Sequence, residues 1–270
     1  MSKNKRKNIS INNLHYTQKS RLILPKQLVF VYRILKEFDN LFIWFFLLKK
    51  YPNISFTNKL DFLRKIFLIS YHVPCTHTEY ELLSVIDTII SMLKSMKGCI
   101  VEAGTFKGGS TAKLSLASRL MNKKLILFDS FKGLPENSEY YDEKKQNSEF
   151  PFKKGSYSGS LKEVKSNISK YGSLNNCKFI KGWFKNTMVN FSTPISLIYL
   201  DVDLASSTRT CLKYLFPLLV PGGFLYSHDG HLPLVRAVFE DEDFWKKEVG
   251  CQKPIIYGLG KRKLIKIVKS

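Results

Sequence analysis

From residue 78 onward the apolar positions switch repeatedly between two periods. Thr78-Glu79-Tyr80-Glu81 has the spacing of a helix-starting capping box. Leu82, Ile86, Ile89, Leu93 and Met96 follow at steps of four and three, one face of a helix, with Gly98 as its predicted stop. Short apolar runs then alternate with helical stretches. CIVEAG (99–104), KLILFD (124–129), CKFIKG (177–182), ISLIYLDVDL (195–204) and PGGFLYSHDG (221–230) read as strands, and IIYGLG with KLIKIV as a closing hairpin. Helices are predicted over 109–121, within 161–172, over 206–219 and over 233–249. This alternation predicts an α/β fold, a mostly parallel seven-stranded sheet with helices on both faces, its last strand antiparallel.

The first 78 residues are patterned differently. Residues 1–24 are polar, basic and without period, and are predicted to be a flexible arm. Residues 25–78 are predicted to be a helical appendage or lid, with one helical pattern from Leu28 to Leu48, ended by Pro52, and an apolar patch from Leu60 to Tyr71. The aromatic stripe Phe42, Trp44, Phe45 and Phe46 is read as a core or homodimer contact, with a weak membrane-surface contact as the alternative. The longest apolar run, Leu41 to Leu48, falls far short of the ~20 residues that span a bilayer. No signal-type run follows the basic start, so a cytoplasmic protein is expected. Residues 79–270 are the predicted catalytic domain.

Composition sharpens this picture in two places. The five cysteines (75, 99, 177, 211 and 251) lie far apart with no CxxC pair, which argues against a disulfide framework and a structural zinc site. The formal charge is +21, from 43 basic and 22 acidic residues. The basic residues are scattered and form no nucleic-acid motif, so nucleic acid is not the expected partner; anionic ligands are favoured.

In an open α/β sheet, function gathers at the carboxyl ends of the strands, where strand order reverses. The first strand ends in Glu102-Ala103-Gly104-Thr105, followed by Phe106-Lys107-Gly108-Gly109-Ser110, a glycine-rich turn that is not GxGxxG. The second ends in Asp129-Ser130. An acid there can accept both hydroxyls of a ribose, and its alternative is a helix cap. Without a phosphate-binding lysine motif, S-adenosylmethionine suits this layout better than ATP. The fourth strand ends in Asp201-Val202-Asp203 and the fifth in His228-Asp229. If the two are neighbours, Asp201 and Asp229 converge and a divalent ion such as Mg²⁺ is a plausible occupant. Asp203 either joins them or caps the next helix. His228 is a ligand, a general base or a packing residue.

VEAGTFKGGST, LFDSFKGLPE, FIKGWFKNT, LDVDLASST and PGGFLYSHDG occur in that order, and together they resemble the macrocin O-methyltransferase family over roughly Tyr80 to Glu248. Members methylate sugar hydroxyls on macrolides and aminocoumarins. The resemblance implies a Rossmann-like class I methyltransferase fold using S-adenosylmethionine, usually with Mg²⁺ and often as a homodimer. It places Glu102, Gly104, Thr105 and Ser110 around the methionine end and first turn, Asp129 and Ser130 at the ribose, and Gly182 and Trp183 near the adenine. It makes Asp201 a metal ligand and base, with Asp229 a second ligand. Where the family usually has two adjacent acids, this chain has His228-Asp229, which leaves His228 as a replacement metal ligand or a catalytic base.

The function implied is O-methylation of a hydroxyl on a saccharide or other small-molecule acceptor. The polar segment from Pro135 to Lys178 is the predicted acceptor cover. Rival readings are a nucleic-acid methyltransferase, a non-catalytic S-adenosylmethionine-binding protein, and an NAD enzyme, the last disfavoured by the missing GxGxxG.

Overall fold

The computed structural model describes residue 51 and residues 54–93, 95–139 and 152–270. The predicted arm, the Leu28–Leu48 helix and the aromatic stripe lie outside the described residues.

Helix α1 (Phe56–His72) begins at Ser55, whose hydroxyl accepts from the Asn58 amide. Helix α2 (Glu79–Ser91) begins with the full capping box: Thr78 Oγ1 accepts from the Glu81 amide and Glu81 accepts from the Thr78 amide. Then come β1 (Cys99–Ala103), α3 (Gly109–Leu120), β2 (Leu125–Asp129), α4 (Leu161–Tyr171) and β3 (Cys177–Lys181). The one-turn α5 (Phe184–Thr187) leads to β4 (Ile195–Leu200), α6 (Ala205–Leu215) and β5 (Leu219–Ser227). Helix α7 (Pro233–Glu240) and the strands β6 (Ile256–Tyr257) and β7 (Ile265–Val268) complete the chain.

The seven strands form one sheet in the order β3-β2-β1-β4-β5-β7-β6. Only β7 runs antiparallel, to β5 on one side and β6 on the other. The sequence expectation for the sheet, including its antiparallel last strand, is met. Successive strand residues serve opposite faces, as the two-residue period demands. Ile100, Leu125, Leu127, Leu197 and Tyr199 join the core under α1–α4. Val101, Ile126, Phe128, Ile198 and Leu200 join the core beneath α6 and α7. Ile66 and Ile69 of α1 are fully buried in the first of these cores, each contributing about 1.5–3 kcal/mol.

Several boundaries differ from the sequence reading, three of them with a cause visible in the side-chain bonds or backbone angles. Helix α2 ends at Ser91, so Leu93 stands exposed while Met96 folds back onto the core. The Lys123 ammonium donates to the Met96 and Gly98 carbonyls and so satisfies backbone that a longer helix would have paired. Strand β4 ends at Leu200, because Asp203 takes φ 61° and the Leu204 amide turns back to the Val202 carbonyl. Helix α7 ends at Glu240. Asp241 restarts the helix by accepting from the Phe244 amide, which lets Trp245 bury completely with its indole N–H on the Phe239 carbonyl.

The switch point lies between β1 and β4, since the strand order proceeds outward in both directions from that pair. Gly104 crosses it at φ 86°, and a Cβ there would collide with the Asp201 carbonyl oxygen. Only glycine tolerates both demands.

Candidate active site

Backbone bonds align the strand ends into one edge. The Gly104 amide donates to Phe128 O, the Asp201 amide to Ala103 O, the Gly182 amide to Asp129 O and the His228 amide to Leu200 O. Above this edge lies a cleft of about 630 Å³. Gly104, Asp129, Ser130, Gly182 and Trp183 line one part of it, and Asp201, His228 and Asp229 another. Eight of the residues singled out from the sequence therefore share one cavity.

Glu102, Thr105 and Ser110 do not line it. Glu102 is wholly buried, accepts from the Ser110 hydroxyl, and leaves Oε2 without a partner. Burial, opposed by that hydrogen bond, pushes its carboxyl up to about 8. Thr105 acts on the cleft through Asp129: its amide and hydroxyl donate to Asp129 Oδ2 at 2.7 and 2.9 Å. Asp129 Oδ1 accepts from the Phe131 amide at 2.6 Å. Asp129 thus caps no helix; it ties the first turn to the second and presents its carboxylate to the cleft.

Asp203 does not cap α6 either. The amides of Ala205 and Ser206 donate instead to Glu139, at 2.6 and 2.9 Å. Asp203 turns to the cleft beside Asp201 and Asp229, and one ligand oxygen from each of the three lies within 4.8 Å of the others. Asp229 Oδ2 also accepts from the Val202 and Asp203 amides, at 2.9 and 3.1 Å, and so fixes the turn that carries Asp203. Burial, then the Asp201 charge, raises Asp229 to about 6. Burial, then the charges of Asp229 and Asp201, pushes Asp203 well above the usual carboxylate range. Clustered acids of this kind favour a hard cation.

His228 bridges two carboxylates. Its Nδ1 is 3.3 Å from Asp201 Oδ1 and its Nε2 is 3.1 Å from Glu81 Oε2. Burial alone would lower its pKa, but the Asp201 charge and the two hydrogen bonds outweigh burial and raise it to about 9. Burial opposes ionisation of Asp201 and Glu81, yet the paired imidazole holds both below their ordinary values. Asp201 is therefore an ionised acceptor at the cleft wall.

Sequence reasoning does not single out His77, Glu81 or Lys263. His77 is buried with its Nδ1 3.8 Å from Asp201 Oδ2, and Lys263 lines the cleft. The only sequence signal among these three is the capping box that contains Glu81.

Part of the remaining wall is apolar: Phe106, Leu134, Phe152, Tyr157 and Leu232. Phe106 and Tyr157 meet edge to face with centroids 6.0 Å apart, and both have positive φ, 47° and 54°. Non-glycine residues held there mark backbone over-determined by its surroundings. All five cysteines are free, and no helix among the described residues is long and apolar enough to cross a membrane.

Known proteins share this fold and parts of this sequence. A demethyl-dimethoxyrhamnosyl-tetracenomycin-C 4'-O-methyltransferase of Streptomyces olivaceus is 30% identical over 178 residues, 63% of this chain and 65% of that protein. A demethyldecarbamoylnovobiocin O-methyltransferase of Streptomyces niveus is 28% identical over 144 residues, 50% of this chain and 53% of that protein. The chain thus spans less than two thirds of the length of either relative. The solved O-methyltransferase NovP superposes with a TM-score of 0.58 at 21% identity, covering 72% of this chain and 81% of its own. CalS11, a calicheamicin methyltransferase, gives 0.54 at 17% identity, covering 79% of this chain and 93% of its own. These two likenesses bear on the fold, which they share. The family profile described as macrocin-O-methyltransferase (TylF) matches residues 80–257, the stretch that carries β1 to β6 and the four cleft-lining acids Asp129, Asp201, Asp203 and Asp229, and on that match the chain belongs to the macrocin O-methyltransferase family.

Proposed function

We propose that the protein transfers a methyl group from S-adenosylmethionine to a hydroxyl of a saccharide or natural-product acceptor. One observation carries the reading: a single cleft at the switch point joins a nucleoside-type end, with Asp129 and Trp183, to the ionised Asp201. The names of the relatives, both O-methyltransferases, support the acceptor class.

The residues fit the donor. Asp129, held by Thr105 and Phe131, has lone pairs left for ribose hydroxyls. Trp183 offers a flat face to an adenine. The wide φ of Gly182, 149°, lets the chain pass between Asp129 and Trp183 without a side chain. When bound, S-adenosylmethionine supplies an activated methyl on a sulfonium. The cleft aligns donor and acceptor, and alignment of this kind lowers a barrier by several kcal/mol.

Asp201 accepts the acceptor's hydroxyl proton at a carboxylate oxygen, a general-base role worth about 10²–10⁴ in rate. His228, pinned by Glu81, holds Asp201 in place and ionised. The apolar wall of Phe106 and Tyr157 takes the C–H face of the acceptor and excludes water. Asp201, Asp203 and Asp229 fit a hard divalent ion such as Mg²⁺, which when bound would acidify the hydroxyl.

The test is calorimetric titration with S-adenosylhomocysteine, with NAD as control, followed by methyl transfer to a panel of deoxysugar glycosides. Micromolar nucleoside binding and transfer to a hydroxyl are expected. Nucleoside binding without transfer to any acceptor would sink the catalytic reading, and no binding would sink the cofactor as well.

A further inference from the structure

Asp201 turns one oxygen to each of two imidazoles. Oδ1 faces His228 Nδ1 at 3.3 Å and Oδ2 faces His77 Nδ1 at 3.8 Å. The two rings meet edge to face with centroids 5.5 Å apart. One ligand atom from each of His77, Asp201 and His228 lies within 4.8 Å of the other two.

His77 is the telling member. It is only 6% exposed, and neither of its ring nitrogens has a hydrogen-bond partner. A buried polar group without a partner costs about 1–3 kcal/mol, and native structures rarely leave one unexplained. The residue's place is fixed by its neighbours: it directly precedes Thr78, the cap of α2, and Glu81 closes the same capping box.

We infer that His77, Asp201 and His228 form a three-ligand site for a borderline divalent transition ion, Zn²⁺ or Co²⁺ in character, sharing Asp201 with the cluster of Asp203 and Asp229. This goes beyond the methyl-transfer reading and does not depend on it. Four features support it. Two imidazoles with one carboxylate select such ions, whereas Mg²⁺ prefers oxygen ligands throughout. Bonds of about 2.0–2.1 Å across a tetrahedral ion separate their donor atoms by about 3.3 Å, the spacing found between His228 and Asp201. Glu81 accepts at His228 Nε2, 3.1 Å away, which directs the Nδ1 lone pair towards Asp201. A carboxylate behind a metal-binding histidine is the usual outer partner of such a ligand. Finally, Asp201 and His228 line the cleft, so an ion held by three protein ligands keeps an open position facing the acceptor.

An ion there takes the place of the proton shared between His228 and Asp201, so its binding releases protons. His228 is the residue by which this chain departs from an all-acid strand end. Together with His77 it offers Asp201 a second class of ion beside the one its acid neighbours suit.

The experiment uses the full chain stripped with a chelator. Co²⁺ is titrated by visible absorption, and Mg²⁺ and Zn²⁺ compete by equilibrium dialysis. One Co²⁺ per chain is expected, with an intense visible band that Zn²⁺ removes and millimolar Mg²⁺ does not. His77→Ala should weaken Co²⁺ by at least about tenfold, and Asp203→Asn should leave it within about twofold. His77→Asn, closer in shape, guards against misfolding, and thermal unfolding of each variant checks it. Equal Co²⁺ affinity in the wild type and both His77 variants would overturn the inference. So would loss of Co²⁺ on Asp203→Asn alone, or no Co²⁺ binding at all. S-adenosylhomocysteine calorimetry on the same samples separates these failures from a failure of the cofactor reading.

Discussion

The Nε2 of His228 lies 3.1 Å from Oε2 of Glu81, across 147 residues of chain. Glu81 thereby does two jobs at once. It closes the capping box of α2 and it anchors the imidazole that touches Asp201.

The two jobs separate by substitution. Glu81→Gln keeps a capping acceptor, since glutamine serves that position as well, but removes the charge facing His228. Its thermal midpoint should stay near wild type while methyl transfer falls about 10-fold or more. Glu81→Ala loses the cap too, and denaturant unfolding should show about 1 kcal/mol of additional destabilisation. Equal activity in wild type and Glu81→Gln would mean that the carboxylate is only a cap.

Asp201→Asn should reduce turnover by about 10²–10⁴ and leave S-adenosylhomocysteine affinity largely intact. Calorimetry and methyl transfer measured side by side check this. Parallel loss of both would place Asp201 in the donor site or in the scaffold.

Trp183→Ala should act in the opposite way. Loss of a stacking face under a base costs about 1–3 kcal/mol, so nucleoside affinity should drop roughly tenfold or more. Turnover at saturating donor should change little.

Glu102 sets a pH dependence of stability. Its carboxyl is raised to about 8 in the fold against an ordinary 4.5. Between those values the folded state holds a proton that the unfolded state has released. Stability from this group is therefore full below about 4.5 and declines as pH rises towards 8, by about 1.4 kcal/mol per unit. Glu102→Gln should flatten that slope in urea unfolding measured from pH 5 to 8.

The buried pair Lys113–Glu79, at 2.8 Å, ties α3 to the start of α2, and Glu79 also accepts from Ser70 of α1. Lys113→Ala leaves the acid behind and should cost about 3–5 kcal/mol. Lys113→Met with Glu79→Gln should recover much of that loss in denaturant unfolding.

The inner strands of the sheet were legible because they are covered on two faces and so read as apolar runs. ISLIYL of β4 is buried at every position. The strand-end residues Gly104, Asp129, Asp201, His228 and Asp229 were legible by the same logic, since a strand's carboxyl end is visible wherever its apolar run stops. Helix ends were less so. Leu93 fits the period of α2 but stands 70% exposed, because the chain must leave the helix to enter β1. Asp203 and Asp129 each offered a cap or a site role. The distant Glu139, which caps α6, decided the first, and the bonds from Thr105 and Phe131 decided the second.

The sequence by itself determined the order of strands and helices, the glycine turn at the switch point, and the line of acids along one edge. These depend on local periodicity and on the residue at each strand end. Tertiary structure alone decided that β1 lies beside β4, that His77 and Glu81 arrive from before the first strand, and that His228 sits between Glu81 and Asp201. Contacts between segments this far apart leave no period in the chain. The charge states that follow from them come from burial and proximity, which exist only once the sheet has assembled.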